Sequence, residues 1–310
     1  MVWTRKRSMA CLLAILPASL IAFVPGAPAS ADDPPFIGWS AALPSIVWEY
    51  DPSSADTCVA GRVECVEATI RQMQRRFDPL AAGCAHSAVF ALAYLRTTQT
   101  YLETSRTEGF YRDARFVNHE DAAFAEMYFS AYDAYTAGRL SRVPPAWRTA
   151  FRSGSASQVS GTGDLLLGMN AHVNRDLPFV LAQIGLTAPD GSSRKPDHDS
   201  VNRMLNRVVQ PLLAEEAARF DPAIELMPTP YGVGYAGLMQ TLVAWRESAW
   251  RAAEQLVAAP DAAVRAEVAA AIEANAEVNA QAIVAATRYT PPLSSTDSRD
   301  SYCRARAGTR

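Results

Sequence analysis

From residue 62 to residue 287 apolar side chains recur at a spacing close to 3.6 residues, and no stretch shows the strict alternation that would mark a half-buried strand. In the span 62–77, Val63, Val66, Ile70 and Met73 share one face before Pro79 breaks the pattern. Residues 84–104 are apolar on more than one face, which predicts a central helix. Further helices are expected over 118–136, with Asn118 as N-cap and Asp121 completing a near capping box. Others are expected over 164–186 (divided at Pro178), 200–220 (with Pro211 inside), 238–258 and 261–287, with Pro260 at the N1 edge of the last. Pro144 and Pro145, the Ser/Gly run 153–163, and the turn-rich 187–196 and 227–237 separate them. The expectation is all-α: a single-domain bundle of about seven or eight helices over 58–290. An irregular arm (32–57) precedes it, and a polar tail (291–310), held by Cys303, follows.

Residues 1–31 read as a signal peptide. Arg5, Lys6 and Arg7 form a basic start, 9–24 is an apolar run broken by Pro17, and Ala29-Ser30-Ala31 is a small-x-small cleavage site. A spanning helix needs about 20 apolar residues in sequence, which neither this run nor any later one supplies, so no transmembrane segment is expected after cleavage. The expected location is extracellular, by the general secretory route. Without the leader, 26 basic residues stand against 32 acidic ones, a mild acidity that argues against nucleic acid or anionic lipid as a standing partner. Cys58, Cys65, Cys84 and Cys303 remain, an even number for an oxidising compartment. Three pairings are possible. The short loop favours Cys58 with Cys65, which leaves Cys84 to pin the tail through Cys303.

Chemistry is sought among polar groups inside apolar helices. "GMNAHVNRDLP" (168–178) sets His172 four residues before Asp176, so imidazole and carboxylate lie one above the other on a helix. Gly168 and Asp164 continue the same stripe, and Asn170 and Asn174 interleave with it. One reading makes this a site on a helix face. The other makes it a network around a helix break, with Asp176 capping a second helix at Leu177 because Pro178 donates no hydrogen bond. His86 faces inward with Phe90 and Ala93, as a core residue or as a partner of His172. Asp121 either caps its helix or opens a polar stripe running through Tyr128. His119 and His198 are expected near solvent, with Asp199 capping the helix after His198, and Asn202 and Asn206 form an amide pair. "GVGYAG" (232–237) reads as a turn, since its glycine spacing misses the dinucleotide-binding pattern.

"AVFALAYLRTT", "AFAEMYF", "GMNAHVNRDLP" and "DHDSVNRMLN" resemble an actinobacterial secreted family catalogued as a domain of unknown function, number five-nine-nine-five. The likeness runs from about residue 77 to 221 and implies no activity. A more distant likeness is to the zinc-dependent phospholipase C and P1-type nuclease group, exported all-α enzymes with a His-x-x-x-Asp pair before a proline. It implies a site of one or two ions, zinc or another divalent metal, held by His86, Asp121, His172 and Asp176.

Two functions follow as expectations. The first is a secreted metal-dependent hydrolase of phosphoester or ester bonds, with Asp164 or Asp176 taking the proton from metal-bound water and Asn170, Asn174, Tyr128 and Asn202 lining the pocket of a small-molecule or lipid-like substrate. The alternative is a non-catalytic secreted helical protein that binds a small ligand or the cell envelope, its polar residues fixing helix register.

Overall fold

Every residue from Ala88 to Leu95 is buried, so the helix carrying them meets protein on all sides, as its apolar girth predicted. The computed structural model describes residues 49–226, 233–289 and 295–307. All belong to one compact unit. The expected signal peptide, the first part of the arm (32–48) and most of the turn-rich link at 227–232 lie outside the described residues.

Ten α-helices are present among the described residues: α1 Val63–Ala82, α2 Ala88–Ser105, α3 Ala114–Thr136, α4 Pro145–Ser155, α5 Gly161–Met169, α6 Leu177–Ile184, α7 Lys195–Arg219, α8 Val233–Ala258, α9 Ala262–Thr287 and α10 Thr296–Ala307. A π-helical segment, Asn170–Asp176, joins α5 to α6 without a gap. Counted as one body, that run brings the total to nine, above the seven or eight expected. The only β pairing among the described residues is two isolated bridges. The fold is all-α.

Three differences from the expected boundaries have simple physical causes. Pro145 opens α4 instead of stopping a helix, because the first turn has no use for the donor that proline lacks. Pro79 sits inside α1 near its C-terminal end, after a buried face that runs from Cys65 to Phe77, and Pro211 lies within α7 as expected. The polar tail holds α10, fixed by packing where composition gave no signal. Its buried Arg299 donates to the carbonyls of Cys84 and Ala85, and a disulfide joins Cys84 to Cys303. Cys58 pairs with Cys65, as expected.

Capping was also misassigned in two places. Asp113, and not Asn118, caps α3, accepting from the Phe116 amide at 3.0 Å. Asn118 is buried inside the helix, accepting from the Tyr101 hydroxyl and donating to the Gly61 carbonyl. Asp199 lies within α7 and pairs with Lys195. α2 packs between α1 and α7, while α9 lies across α4, α5 and the π segment. These contacts leave α2, α3, α5, the π segment, α7 and α8 facing a common centre.

Candidate functional site

Pro178 does not end its helix. In an α register its missing N–H would strand a carbonyl and its ring would crowd residue 174. The widened π turns just before it absorb the misfit, and the Leu177 amide donates five residues back, to the His172 carbonyl. Such segments often mark functional positions. Asp176 therefore is no cap. Its carboxylate is wholly buried and accepts from Trp147 Nε1 at 2.8 Å, Arg175 Nη1 at 2.8 Å and His172 Nδ1 at 3.2 Å. Arg175 in turn reaches Glu273 on α9. This chain of partners holds the imidazole from behind.

The face of His172 is held as firmly. Its ring stacks on Phe124 of α3 with 3.5 Å between centroids and 6° between planes, and the Tyr94 ring of α2 meets it edge-on at 4.4 Å. Gly168, on the same stripe as the His–Asp pair, makes room for Phe90: a Cβ there would lie 2.2 Å from Phe90 Cγ. With Nδ1 donating to Asp176, the remaining ring nitrogen, Nε2, keeps its lone pair. It is buried and has no hydrogen-bond partner among the described residues.

Nε2 belongs to a residue that borders a cavity of about 130 Å³ lined by α2, α3, α5, the π segment, α7 and α8. Most of the lining is apolar, with Leu205, Val209 and Leu242 typical. The polar part is small. Tyr94, Thr98, Asp121 and His172 border the cavity, and each has a buried polar atom without a hydrogen-bond partner: Tyr94 Oη, Thr98 Oγ1, Asp121 Oδ2 and His172 Nε2. Buried polar atoms are nearly always paired, so four such atoms around one cavity point to a partner that is not protein.

Two acids and one base complete the lining. Burial pushes Glu120 up to about 7, despite the opposing pull of the Arg246 guanidinium. Burial, reinforced by the neighbouring Glu120, pushes Asp121 up to about 8. Asp121 keeps some accessible surface because it borders the cavity, yet lies deep in the protein. Arg246 is buried and braced by α7, donating through Nε to Asn202 Oδ1 at 2.9 Å and through Nη2 to the His198 carbonyl at 2.8 Å. Desolvation lowers the pKa of His172, against the pull of Asp176. It is thus a neutral imidazole at neutral pH.

The remaining expected site residues fall elsewhere. His86 and Asp164 pair with each other at 2.8 Å, and His86 Nε2 lies 3.6 Å from Asp300 on α10. Neither borders the central cavity. Asp164 and Asp176 each pair with a histidine, and of the four expected ligands only His172 and Asp121 border the cavity. Among the described residues no group of three or more His, Cys, Asp or Glu is placed to hold a metal ion, so the quartet does not gather.

Asn170 donates to the Ala276 carbonyl and accepts from Asn174, which makes them a brace to α9. Tyr128 packs on Phe90, Tyr94 and Trp147 behind the lining. Asn202 acts through Arg246. His119 and His198 are buried, not solvent-facing: His119 Nδ1 donates to the Cys58 carbonyl, and His198 Nε2 to that of Arg246.

Glu120, Arg246, Tyr94, Thr98 and Phe124 were missed. Arg246 had a signal in the sequence, since it shares a helical face with the apolar Leu242, Ala249 and Trp250. A profile described as a family of unknown function (DUF5995) matches residues 66–286. No curated protein and no solved structure matches the chain, so the likeness to the zinc-dependent phospholipase C and P1-type nuclease group gains no support.

Proposed function

Because the chain belongs to that family of unknown function, DUF5995, its role must be read from the site, and we propose that it binds one small, mainly apolar molecule with a polar end in the central cavity. The observation that carries this reading is the cavity itself: an apolar, partly open cleft whose lining residues hold four polar atoms unpartnered among the described residues. An engineered cavity of similar size holds benzene, so a single-ring molecule sets the scale. Export to an oxidising compartment is part of the proposal, supported by the two disulfides.

Thermal unfolding with ethylbenzene and with 2-phenylethanol tests it. A probe present at a hundred times its Kd adds about 2.7 kcal/mol of stability. Val201 borders the cavity and is half-buried, so Val201→Trp fills the space from its edge. A rise in Tm for wild type that is lost in Val201→Trp supports binding; no rise with either probe in wild type overturns it.

A second reading, ester or phosphoester hydrolysis in the same cavity, is favoured by the lone pair on His172 Nε2. There the imidazole would take a proton from water as the water oxygen attacks the bound ester, with Asp176 holding the ring as it becomes imidazolium, and would return that proton to the leaving alcohol oxygen as the ester bond breaks. Turnover of phenyl acetate that disappears in His172→Gln, with binding of 2-phenylethanol retained, supports that step. Equal turnover in the variant sinks it.

A further inference from the structure

The four unpartnered atoms do not form a neutral mixture. His172 Nε2 can only accept. Asp121 Oδ2 is a carboxyl oxygen, and the hydroxyls of Tyr94 and Thr98 both carry free lone pairs. Tyr94 and Thr98 are one turn apart on α2. Asp121 is one turn before Phe124 on α3, and Phe124 lies flat on His172. The Tyr94, Phe124 and His172 rings lie against one another, so the turns that carry Thr98 and Asp121 adjoin this cluster on the cavity lining.

Charge points the same way. The ionisable groups around Asp121 are Glu120 on its own helix, Tyr94 and Tyr101 from α2, Tyr111 from the link between α2 and α3, His172 with Asp176 behind it from the π segment, and Arg246 from α8. α7 contributes only apolar side chains to the lining. Arg246 acts on Glu120, whereas the electrostatic influence on Asp121 is that of another acid. Once Asp121 and Glu120 ionise, the polar end carries more acid than cation, and the aromatic residues Phe90, Tyr94 and Phe124 form part of the wall. Aromatic faces also attract cations.

We propose that the cavity selects a small hydrophobic amine in its ammonium form, the ammonium held among Asp121, His172, Tyr94 and Thr98 and the apolar body against the leucines and valines of α7 and α8. This rests on the reading that the cavity is a ligand site. A primary ammonium brings three donors to an end rich in acceptors. It also brings the positive charge that Asp121 lacks.

Asp121 is protonated at neutral pH, so forming the ion pair releases its proton. Affinity for an amine therefore rises by about tenfold per pH unit up to about 8, while the affinity for an uncharged probe stays flat.

Calorimetric titration of the full chain with four probes of one size tests the proposal: 2-phenylethylamine, 2-phenylethanol, ethylbenzene and 3-phenylpropionate. The expected result is that the amine binds at least tenfold more tightly than the others at pH 8, with proton release at pH 6.5. Asp121→Asn is expected to abolish that preference while still binding 2-phenylethanol. If 3-phenylpropionate or ethylbenzene binds as tightly as the amine, or if Asp121→Asn keeps the preference, the amine proposal is overturned and the cavity reading stands. If none of the four binds, both fall.

Discussion

The imidazole of His172 lies flat on the ring of Phe124, 3.5 Å between centroids, while Asp176 holds its Nδ1 from the opposite edge. The stack ties α3 to the π segment, so the ring's orientation depends on both. Phe124→Leu keeps an apolar side chain but removes the stack. The expected cost is about 1 to 2 kcal/mol by urea unfolding, with weaker binding of 2-phenylethanol by several-fold as the imidazole gains freedom. Unchanged affinity in a destabilised Phe124→Leu would show that the stack is structural only.

Gly168 and Phe90 form a close pair of another kind. With a Cβ at 168 falling 2.2 Å from Phe90 Cγ, Gly168→Ala forces the ring and α2 to shift. A loss of about 2 to 3 kcal/mol is expected, in the range of overpacked cores. Phe90→Ala in the same chain removes Cγ and Cδ2 and should recover part of it, so that the double variant is more stable than the sum of the single losses allows. Strict additivity in a double-mutant cycle would contradict the contact.

Asp121 makes stability depend on pH in a direction opposite to that of a salt-bridged acid. Burial holds its folded pKa at about 8, above the 3.8 usual for a solvated aspartate. Its contribution is fully present below about pH 4 and is lost as pH rises toward 8, because the unfolded chain ionises first. Asp121→Asn cannot ionise. It should match wild type near pH 4 and exceed it near pH 8, by an amount on the order of a few kcal/mol, measured by urea unfolding at pH 4, 6 and 8. Parallel pH curves for the two proteins would contradict the burial of a lone acid.

Periodicity carried the helices, and cysteine parity with loop length carried the disulfides, because both are properties of neighbouring residues or of simple counting. The His172–Asp176 contact was legible for the same reason: four residues on a helix is one turn. What escaped depended on distant contacts. Pro178 was expected to break the helix, and the π turns that accommodate it are held in place by Trp147 and Glu273, from α4 and α9. The polarity of Asn170 was visible, but its acceptor is the Ala276 carbonyl, more than a hundred residues away. The cavity is a gap between six elements and has no sequence signature of its own. Glu120 and Arg246 could be singled out only by asking which charged residues share a face with buried apolar ones.

The Cys84–Cys303 bond closes nearly the whole folded chain into a loop, its ends 219 residues apart. In the chain-entropy view, Cys303→Ser removes about 5 kcal/mol. The first segment to loosen should be α10, since Arg299 and the disulfide are its main anchors. Hydrogen exchange should therefore speed up across 296–307 and around His86, whose Nε2 faces Asp300. Uniform acceleration over all helices, with no excess in α10, would show that α10 is not a separately held element.

The most direct measurement is the nitrogen spectrum of the His172 ring, read by long-range proton–nitrogen correlation during titration with 2-phenylethanol. In the free protein Nδ1 should carry the proton and Nε2 should resonate as an unprotonated ring nitrogen. On saturation Nε2 should shift toward lower frequency as it accepts the probe's hydroxyl, and Val201→Trp should abolish the change. A protonated Nε2 in the free protein, or a saturated probe that leaves the His172 ring unmoved, would contradict a ligand site built on this cavity.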